Sequence, residues 1–508
     1  SKPELLAALA ISRPGGLVIC NGYKDREYLR LALIGRLTGL DTVIVLEKPG
    51  ELEPLREEAA ALGVTPRLGV RLRLASLGSG KWQDTGGERA KFGLSTGQLL
   101  RLVDDLSTAG EVEWLSMLHF HMGSQIPNLR DIQHGVREAG RFLVELQALG
   151  CNVRTVDIGG GLGVDYEGSG TRSFCSVNYG VQQYAAAVVN GLADLCRAHR
   201  IPMPALVSES GRALTAHHAV LVAPLAATEL APDDRLPAAT NDEPPAVRGM
   251  REVLAGIDDM PPEELWLDAG HYLEEARNLF LYGDLGLRER GLIEQLYYRA
   301  LRGLEARLDP AKRRHRELRD QLTRQLADKY FVNFSVFQSL PDVWALDQVF
   351  PIVPLAGLDA EPDRHAVIED LTCDSDGRVG RYVDGSGVAE TLRVHAPPAH
   401  GEYLLGVFMV GAYQDTLGDI HNLFGRIDKV DVRLGSDGAA LSQPVRGDTA
   451  ADLLAEVGFE PTELLETCRG RIRAAINDPR LRERAERTLA DGHAGYTYLQ
   501  VDSGSPNE

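Results

Sequence analysis

The sequence predicts an α/β fold in which residues 1–225 form parallel βα units. Short apolar runs alternate with amphipathic helical stretches, and the runs are apolar on both faces, as in strands covered by helices. Glycines and polar side chains follow directly after several of these runs, where βα folds carry their chemistry. Together these observations predict a parallel sheet with a functional site at the carboxyl ends of its strands.

Six runs of this region are predicted to be strands: Leu17–Cys20, Thr42–Glu47, Arg67–Leu72, Leu115–His121, Thr155–Gly159 and Ala205–Glu209. Helices are predicted at Pro3–Ala10, Arg26–Thr38, Thr96–Leu106 and Asp131–Leu149. A closed βα barrel needs eight units. We therefore expect either an open sheet or two further βα units that precede Ser1 in a longer protein.

The rest of the chain is predicted to form three more parts. A Pro-, Ala- and Asp-rich linker opens a helical insertion at 226–330, a β domain follows at 331–448, and a helical extension with a disordered tail occupies 449–508. The segments behind this division are the linker Ala226–Asn241, the helices Arg288–Leu308 and Ala311–Lys329, the strands Ala366–Thr372, Leu404–Ala412 and Lys429–Leu434, the helical stretch Thr449–Ala490 and the tail Val501–Glu508.

Composition restricts the function classes. The 508 residues contain 73 acidic and 54 basic side chains, a formal net charge of −19, which argues against a general nucleic-acid or anionic-membrane binder. No apolar stretch approaches the roughly 18 residues that span a bilayer, and no signal peptide is visible. The six cysteines show no CxxC or zinc spacing. We expect a cytoplasmic protein with reduced thiols.

A glycine-rich run, Gly159 to Gly163, follows the fifth predicted strand. Glycines let backbone amides approach an anion closely, so a phosphate site is one interpretation. A plain tight turn is the other. A dinucleotide fingerprint fails because Val164 and Tyr166 stand where a third glycine belongs.

Two other strand ends carry candidate chemistry. His119 and His121 alternate along one strand, which suits a metal pair, a stacking or acid–base imidazole, or a buried structural histidine. Glu209, followed by Arg212, suits either a plain ion pair or a carboxylate that holds a protonated cofactor ring nitrogen. These residues alone do not decide between the alternatives.

The second half of the chain carries two weaker motifs. Cys373 is followed by acidic residues after a predicted strand, but the rest of a calcium loop is absent because Gly385 stands where a Glu is needed. Tyr413 follows another apolar run and suits either a core position or a phosphate contact.

Taken in order, these motifs resemble those of the bacterial biosynthetic arginine decarboxylases, pyridoxal 5′-phosphate (PLP)-dependent enzymes of the alanine racemase/ornithine decarboxylase fold group. The resemblance covers nearly the whole chain and includes the helical insertion. It rests on the runs Val18–Tyr28, Gly78–Trp82, Lys91–Leu94, His119–Gln125, Asp157–Tyr166, Cys175–Gly180, Glu209–Arg212, Thr372–Gly377 and Gly411–Gln414. It implies a PLP-binding (β/α)8 barrel, N-terminally incomplete here, with a helical insertion and a C-terminal β domain.

The resemblance also implies roles in cofactor binding. His121 stacks on the PLP ring, and Glu209 pairs with the pyridine nitrogen. The phosphate is held by Ser124, Gly159, Gly160, Gly161, Arg212 and Tyr413.

For the substrate, L-arginine, the resemblance implies that Cys373 reaches the site from the other subunit of a dimer or higher oligomer and returns the proton. Asp374 contacts the substrate amine, and Asp342 or Asp347 is our choice for the guanidinium. The stretch assigned to substrate binding comprises Val156, Asp157, Ile158, Leu162, Gly163, Val164, Asp165 and Tyr166. Magnesium is implied by the resemblance only, and no ligand cluster for it is evident.

One departure concerns the lysine that bonds PLP in this family, which lies upstream of Ser1; no lysine here matches its motif. We expect the chain alone to be inactive and the coding sequence upstream to encode a strand ending in lysine. The expected function is decarboxylation of L-arginine to agmatine and CO₂ for putrescine and spermidine synthesis. The alternatives are a same-fold decarboxylase acting on ornithine, diaminopimelate or carboxynorspermidine, and a catalytically dead homologue that regulates an active partner.

Overall fold

A computed structural model describes residues 1–75, 90–232, 236–309, 311–385, 387–398 and 401–500. The chain divides into two compact units, Ser1–Ala219 and Val220–Glu508. The motif Gly78–Trp82 and the tail Val501–Glu508 lie outside the described residues. In the described part, no helix has the length and apolarity needed to cross a bilayer.

The first unit contains a parallel sheet surrounded by helices. Its strands are β1 (Leu17–Cys20), β2 (Asp41–Leu46), β3 (Leu68–Arg71), β4 (Leu115–His119), β5 (Thr155–Asp157) and β6 (Ala205–Val207). Its helices are α1 (Lys2–Ile11), α2 (Arg26–Leu37), α3 (Leu52–Leu62), α4 (Thr96–Ala109), α5 (Leu129–Ala148), α6 (Val181–His199) and α7 (Gly211–Thr215).

The six strands lie side by side in chain order, and every neighbouring pair is parallel. A doubly wound sheet reverses its strand order at a switch point, whereas a (β/α) barrel adds each strand on the same side. The order therefore confirms the predicted fold class. All six predicted strands are present, but β4, β5 and β6 each end two residues early because the chain turns away there into polar loops.

Local sequence explains where the helices begin. The Asp25 side chain accepts a hydrogen bond from the Tyr28 amide at the start of α2, and Ser95 forms a capping box with Gln98 at the start of α4. The long helix α5 buries one apolar stripe, including Val136 and Leu143. These stripes pack with the strands in one large hydrophobic core, and Val43, Val45 and Met117 of β2 and β4 form a second, smaller cluster.

The second unit is built on a mixed sheet. Its strands are β7 (Val220–Glu229), β8 (Asp328–Val332), β9 (Ile352–Pro354), β10 (Arg364–Glu369), β11 (Arg378–Val379), β12 (Tyr382–Asp384), β13 (Gly387–Ala389), β14 (Leu392–Val394), β15 (Leu404–Phe408), β16 (Lys429–Gly435) and β17 (Gly438–Val445). The main sheet has the order β11-β10-β8-β7-β15-β9, and β14 also pairs with β10. The pairs β12–β13 and β16–β17 are separate hairpins.

Two sequence predictions are wrong here. The predicted linker Ala226–Asn241 begins as a strand, because β7 continues to Glu229 and pairs with β8. The predicted helix Ala311–Lys329 ends at Gln325, and β8 begins at Asp328. The alternation of buried and exposed side chains in β8 shows why the helical pattern stops there.

The helices of the second unit form an insertion, a set of short turns and a C-terminal group. They are α8 (Pro245–Ala255), α9 (Pro262–Tyr282), α10 (Leu287–Arg307), α11 (Arg313–Gln325), α12 (Val336–Ser339), α13 (Pro341–Leu346), α14 (Gln414–Leu417), α15 (Ala450–Glu456), α16 (Pro461–Ala475) and α17 (Pro479–His493). Helices α8 to α11 share a hydrophobic core of their own, as a helical insertion requires. The four-part domain division stays a prediction.

Candidate active site

Four strands of the first unit end in polar side chains that meet. Asn21, His119, Asp157 and Glu209 stand at or just past the carboxyl ends of β1, β4, β5 and β6; we call these four the strand-end quartet. The Nδ1 atom of His119 lies 2.8 Å from Oδ2 of Asp157, and both side chains are fully buried. The amide of Asn21 donates to Oε1 of Glu209 at 2.5 Å.

Glu209 is the carboxylate of the quartet whose protonation is most perturbed. Desolvation and the neighbouring charge of Asp157 raise the pKa of Glu209 to about 7, while His119 and the Asn21 amide act in the opposite direction. Ligand-type atoms of His119, Asp157 and Glu209 all lie within 4.8 Å of one another. Glu209 can therefore take up or release a proton near neutral pH.

His121 lies just past β4 and is held as a neutral imidazole. Its Nδ1 accepts a hydrogen bond of 3.1 Å from the Gly160 amide, which leaves the ring proton on Nε2. Burial and the nearby Arg71 guanidinium lower the pKa of His121 to about 4. His119 points to Asp157 instead, so the two histidines have different partners in this structure.

The glycine loop, Gly159 to Gly161, packs closely against the segment that follows β4. Gly159 has a φ of +63°, and a Cβ there would lie 2.5 Å from the carbonyl oxygen of Phe120. Gly161 has a φ of +107°, and a Cβ there would lie 2.9 Å from the carbonyl oxygen of Gly123. Both positions need glycine for conformation and for space.

Two amides of this loop already have partners inside the protein. The Gly159 amide donates to Oδ1 of Asp157 at 3.0 Å, and the Gly160 amide donates to His121. The amides of Gly163 and Val164 also have internal partners, the Tyr179 hydroxyl and Gln125. An anion bound here would therefore be held by the amides of Gly161 and Leu162, and the first two glycines position Asp157 and His121.

Arg212 joins two other predicted site residues. Its Nε donates to Oγ of Ser124 at 3.3 Å, and its Nη1 donates to the hydroxyl of Tyr166 at 3.2 Å. Arg212 lies on α7, directly after β6, and is buried. The structure thus brings Ser124, Tyr166 and Arg212 together on one side of the strand ends.

The segment from Val156 to Tyr166 passes through the same region. Val156 and Asp157 belong to β5, and Ile158 is buried next to them. Leu162, Gly163, Val164 and Asp165 follow the glycine loop. Gln125, which the sequence analysis did not nominate, fixes this stretch by donating to the Val164 carbonyl at 2.6 Å and accepting from the Val164 amide at 2.9 Å.

In the second unit, Cys373 begins an exposed loop that is held by a second loop. The amide and the Sγ atom of Cys373 lie 3.1 and 3.4 Å from Oδ1 of Asn422. The Asp374 carboxylate is hydrogen-bonded to Nε2 of His421, whose ring lies against Phe337 with centroids 4.6 Å apart. Cys373 and Asp374 are thus oriented by two residues, His421 and Asn422, that sequence reasoning missed.

The two acids chosen for the guanidinium have different surroundings. Asp342 is buried, and its Oδ2 accepts from the Gln414 amide at 2.7 Å. Asp347 lines a cavity of about 260 Å³ together with Trp344, Asp376 and Arg381. Tyr413 is half exposed and adopts a φ of +70° at the start of α14.

The site residues that were not predicted differ in the sequence signal that could have indicated them. Asn21 follows β1 and belongs to the polar strand ends, so the same pattern that marked Glu209 contained it. His421 and Asn422 lie in the connection between β15 and β16, and no periodicity marks them. Their contacts with Cys373 and Asp374 arise only when the chain folds.

Within the described residues, the one group of three metal-competent side chains is His119, Asp157 and Glu209. Magnesium prefers octahedral oxygen ligands. Here one donor is a nitrogen, and both Asp157 oxygens already accept hydrogen bonds, from His119 and Gly159. This group does not fit magnesium, and we derive no step from that ion.

Comparison with known proteins identifies the family. The family described as "Pyridoxal-dependent decarboxylase, pyridoxal binding domain" matches residues 1–216, and the "Arginine decarboxylase helical bundle domain" matches residues 240–323. Biosynthetic arginine decarboxylase from Xanthomonas campestris pv. campestris is 51% identical over 98% of this chain and 80% of the relative. The same enzyme from Alkalilimnicola ehrlichii is 52% identical over 99% of this chain and 80% of the relative.

A solved structure gives the same result. The crystal structure of the biosynthetic arginine decarboxylase from Campylobacter jejuni has a TM-score of 0.84 and 28% identity, covering 99% of this chain and 81% of that chain. The chain therefore belongs to the biosynthetic arginine decarboxylases, a family of pyridoxal-dependent decarboxylases.

Proposed function

We propose that this protein decarboxylates L-arginine to agmatine and CO₂ with PLP as cofactor, as a step of polyamine biosynthesis. The observation that carries the proposal is the identity of 51–52% with biosynthetic arginine decarboxylases over 98–99% of the chain. The match to the arginine decarboxylase helical bundle at residues 240–323 favours arginine over the substrates of other enzymes with this fold.

The strand ends of the first unit fit PLP. A flat pyridine ring needs a neutral stacking partner and an acid at its nitrogen, and His121 and Glu209 have these properties. A phosphate needs closely approaching amides and a cation, and the amides of Gly161 and Leu162 and the Arg212 guanidinium offer these. We propose Ser124 and Tyr413 as further phosphate ligands.

When bound, PLP supplies the electron sink that accepts the electron pair left at Cα as CO₂ departs. The protein's own residues orient and protonate. Glu209 holds the ring nitrogen through its carboxylate, and its pKa of about 7 lets it share one proton there. His121 would stack on one face of the ring as an uncharged imidazole.

We propose that the proton returns to Cα from Cys373 of a second subunit, so that the working unit is a homodimer or a larger oligomer. Two features of the loop support this. Cys373 is exposed, so another subunit can reach it, and Asn422 fixes the direction of its sulfhydryl. Asp374, held by His421, is the proposed contact for the substrate amine.

For the guanidinium we favour Asp347 over Asp342. Asp347 lines a cavity together with Asp376, the half-exposed ring of Trp344, Arg378 and Arg381. Its two carboxylates and its aromatic ring are the groups that a planar cation would contact. Asp342 is buried against Gln414, which makes it a structural residue in this arrangement.

The test is a product assay on the complete gene product, purified with PLP. We expect release of agmatine and CO₂ from L-arginine, with much weaker activity on ornithine, diaminopimelate and carboxynorspermidine. A preference for one of those substrates would replace the arginine assignment. A protein that turns over none of them but co-purifies with an active decarboxylase would support the regulatory alternative.

A further inference from the structure

The strand-end quartet contains two carboxylates where one would suffice to hold a ring nitrogen. Asp157 and Glu209 have oxygens within 4.8 Å of each other. At that distance the charge of Asp157 disfavours the charged form of Glu209 and raises its pKa. The surroundings of the two carboxylates determine which of them holds a proton more readily.

The two carboxylates differ in the hydrogen bonds that they accept. Asp157 is fully buried and accepts two donors, Nδ1 of His119 at 2.8 Å and the Gly159 amide at 3.0 Å. Donors to a carboxylate favour its charged form. Glu209 has the Asn21 amide on Oε1 and the repulsion of Asp157 beside it, so the exchangeable proton belongs on Glu209.

We propose that His119 is a positioning residue that acts through Asp157. By donating to Asp157 it keeps that carboxylate charged and leaves Glu209 as the one group that exchanges a proton with the cofactor's ring nitrogen. This inference rests on the proposed function, because it takes Glu209 to face that nitrogen.

Other charged groups surround the quartet at greater distance. Arg71 ends β3 and is paired with Glu47 at 2.7 Å, and His121 follows β4 two residues after His119. Arg71 lowers the pKa of His121. His119 is therefore the side chain whose removal takes a donor away from Asp157, which can then hold the proton.

The experiment follows the protonation of the ring nitrogen directly. The complete holoenzyme is prepared with PLP labelled with ¹⁵N in the ring, and the nitrogen resonance is followed against pH. In His119→Phe, Asp157 keeps one donor, becomes protonated and donates to Glu209. We then expect the midpoint for loss of the ring proton to fall by at least one pH unit.

A double-mutant cycle tests whether the effect passes through Asp157. In an Asp157→Asn background, His119→Phe should leave the midpoint unchanged, because no carboxylate remains for His119 to keep charged. An unchanged midpoint in the single variant, or an equal shift in both backgrounds, would overturn the proposal.

A second pair of variants keeps the test decisive if His119→Phe does not fold. The side-chain nitrogen of Asn takes the place of Nδ1, whereas that of Gln reaches farther. We expect His119→Asn to keep the native midpoint and His119→Gln to lower it; equal midpoints would refute the role of the Nδ1 donor. Absence of agmatine from the unmodified enzyme would instead refute the proposed function.

Discussion

Asn21 and Glu209 are 188 positions apart in the chain, yet the Asn21 amide donates to the Glu209 carboxylate at 2.5 Å. The contact exists because β1 and β6 are the edge strands of one curled parallel sheet, and their carboxyl ends face the same side. It gives the Glu209 carboxylate a fixed orientation in the chain without cofactor.

This contact predicts the effect of Asn21→Leu on the chain without cofactor. The amide favours the charged form of Glu209, so its removal should raise the pKa of Glu209 above about 7, by roughly half a unit to one unit. The measurement is a pH titration of ¹³C-labelled glutamate carboxyls, with the Glu209 resonance assigned by Glu209→Gln. Asn190→Leu, at an exposed position on α6, is the control. A pKa that stays the same or falls in Asn21→Leu would contradict this account.

Gly159→Ala tests the close packing of the glycine loop. The new Cβ would meet the Phe120 carbonyl at 2.5 Å in a backbone conformation of positive φ. We expect a loss of roughly 3 kcal/mol in the free energy of unfolding, together with weaker cofactor binding. Urea denaturation and PLP titration measure the two effects.

The matched control is Gly110→Ala. Gly110 also has a positive φ, +72°, but nothing lies within 4 Å of the position of its Cβ. The control should cost about 1 kcal/mol, the cost of the backbone conformation alone. Equal losses in the two variants would show that the contact with Phe120 is unimportant.

Much of the first unit could be predicted because the strands of parallel βα units are buried on both faces and therefore appear in the sequence as apolar runs. The apolar runs gave the strands, and the polar residues after them contained His121, Glu209 and the glycine loop. The early ends of β4, β5 and β6 could not be predicted, because a polar residue after an apolar run has the same sequence signature whether it pairs in the sheet or begins a loop. His421 and Asn422 were missed because their role depends on a loop–loop contact.

His121 predicts a pH dependence of stability in the chain without cofactor. Its folded pKa of about 4 lies below the usual 6.5, because burial disfavours the cation. The unfolded state therefore binds a proton first, and stability that is fully present above pH 6.5 is lost as the pH falls toward 4. We expect the difference in free energy of unfolding between the native chain and His121→Asn to shrink by about 2 kcal/mol over this range. If the free energies of unfolding of the two proteins, measured by urea denaturation, change equally with pH, the prediction is refuted.

The last prediction separates Asp342 from Asp347 in the complete enzyme. Asp347→Asn removes a charge from the cavity beside Trp344, and we expect the KM for arginine to rise roughly tenfold or more, with little change in melting temperature. Asp342→Leu removes the buried acceptor of the Gln414 amide, so we expect a destabilisation of roughly 2 kcal/mol and a nearly unchanged KM. Steady-state kinetics and thermal unfolding of both variants give the comparison. If the effects are exchanged, with KM altered in Asp342→Leu and not in Asp347→Asn, the guanidinium is bound at Asp342.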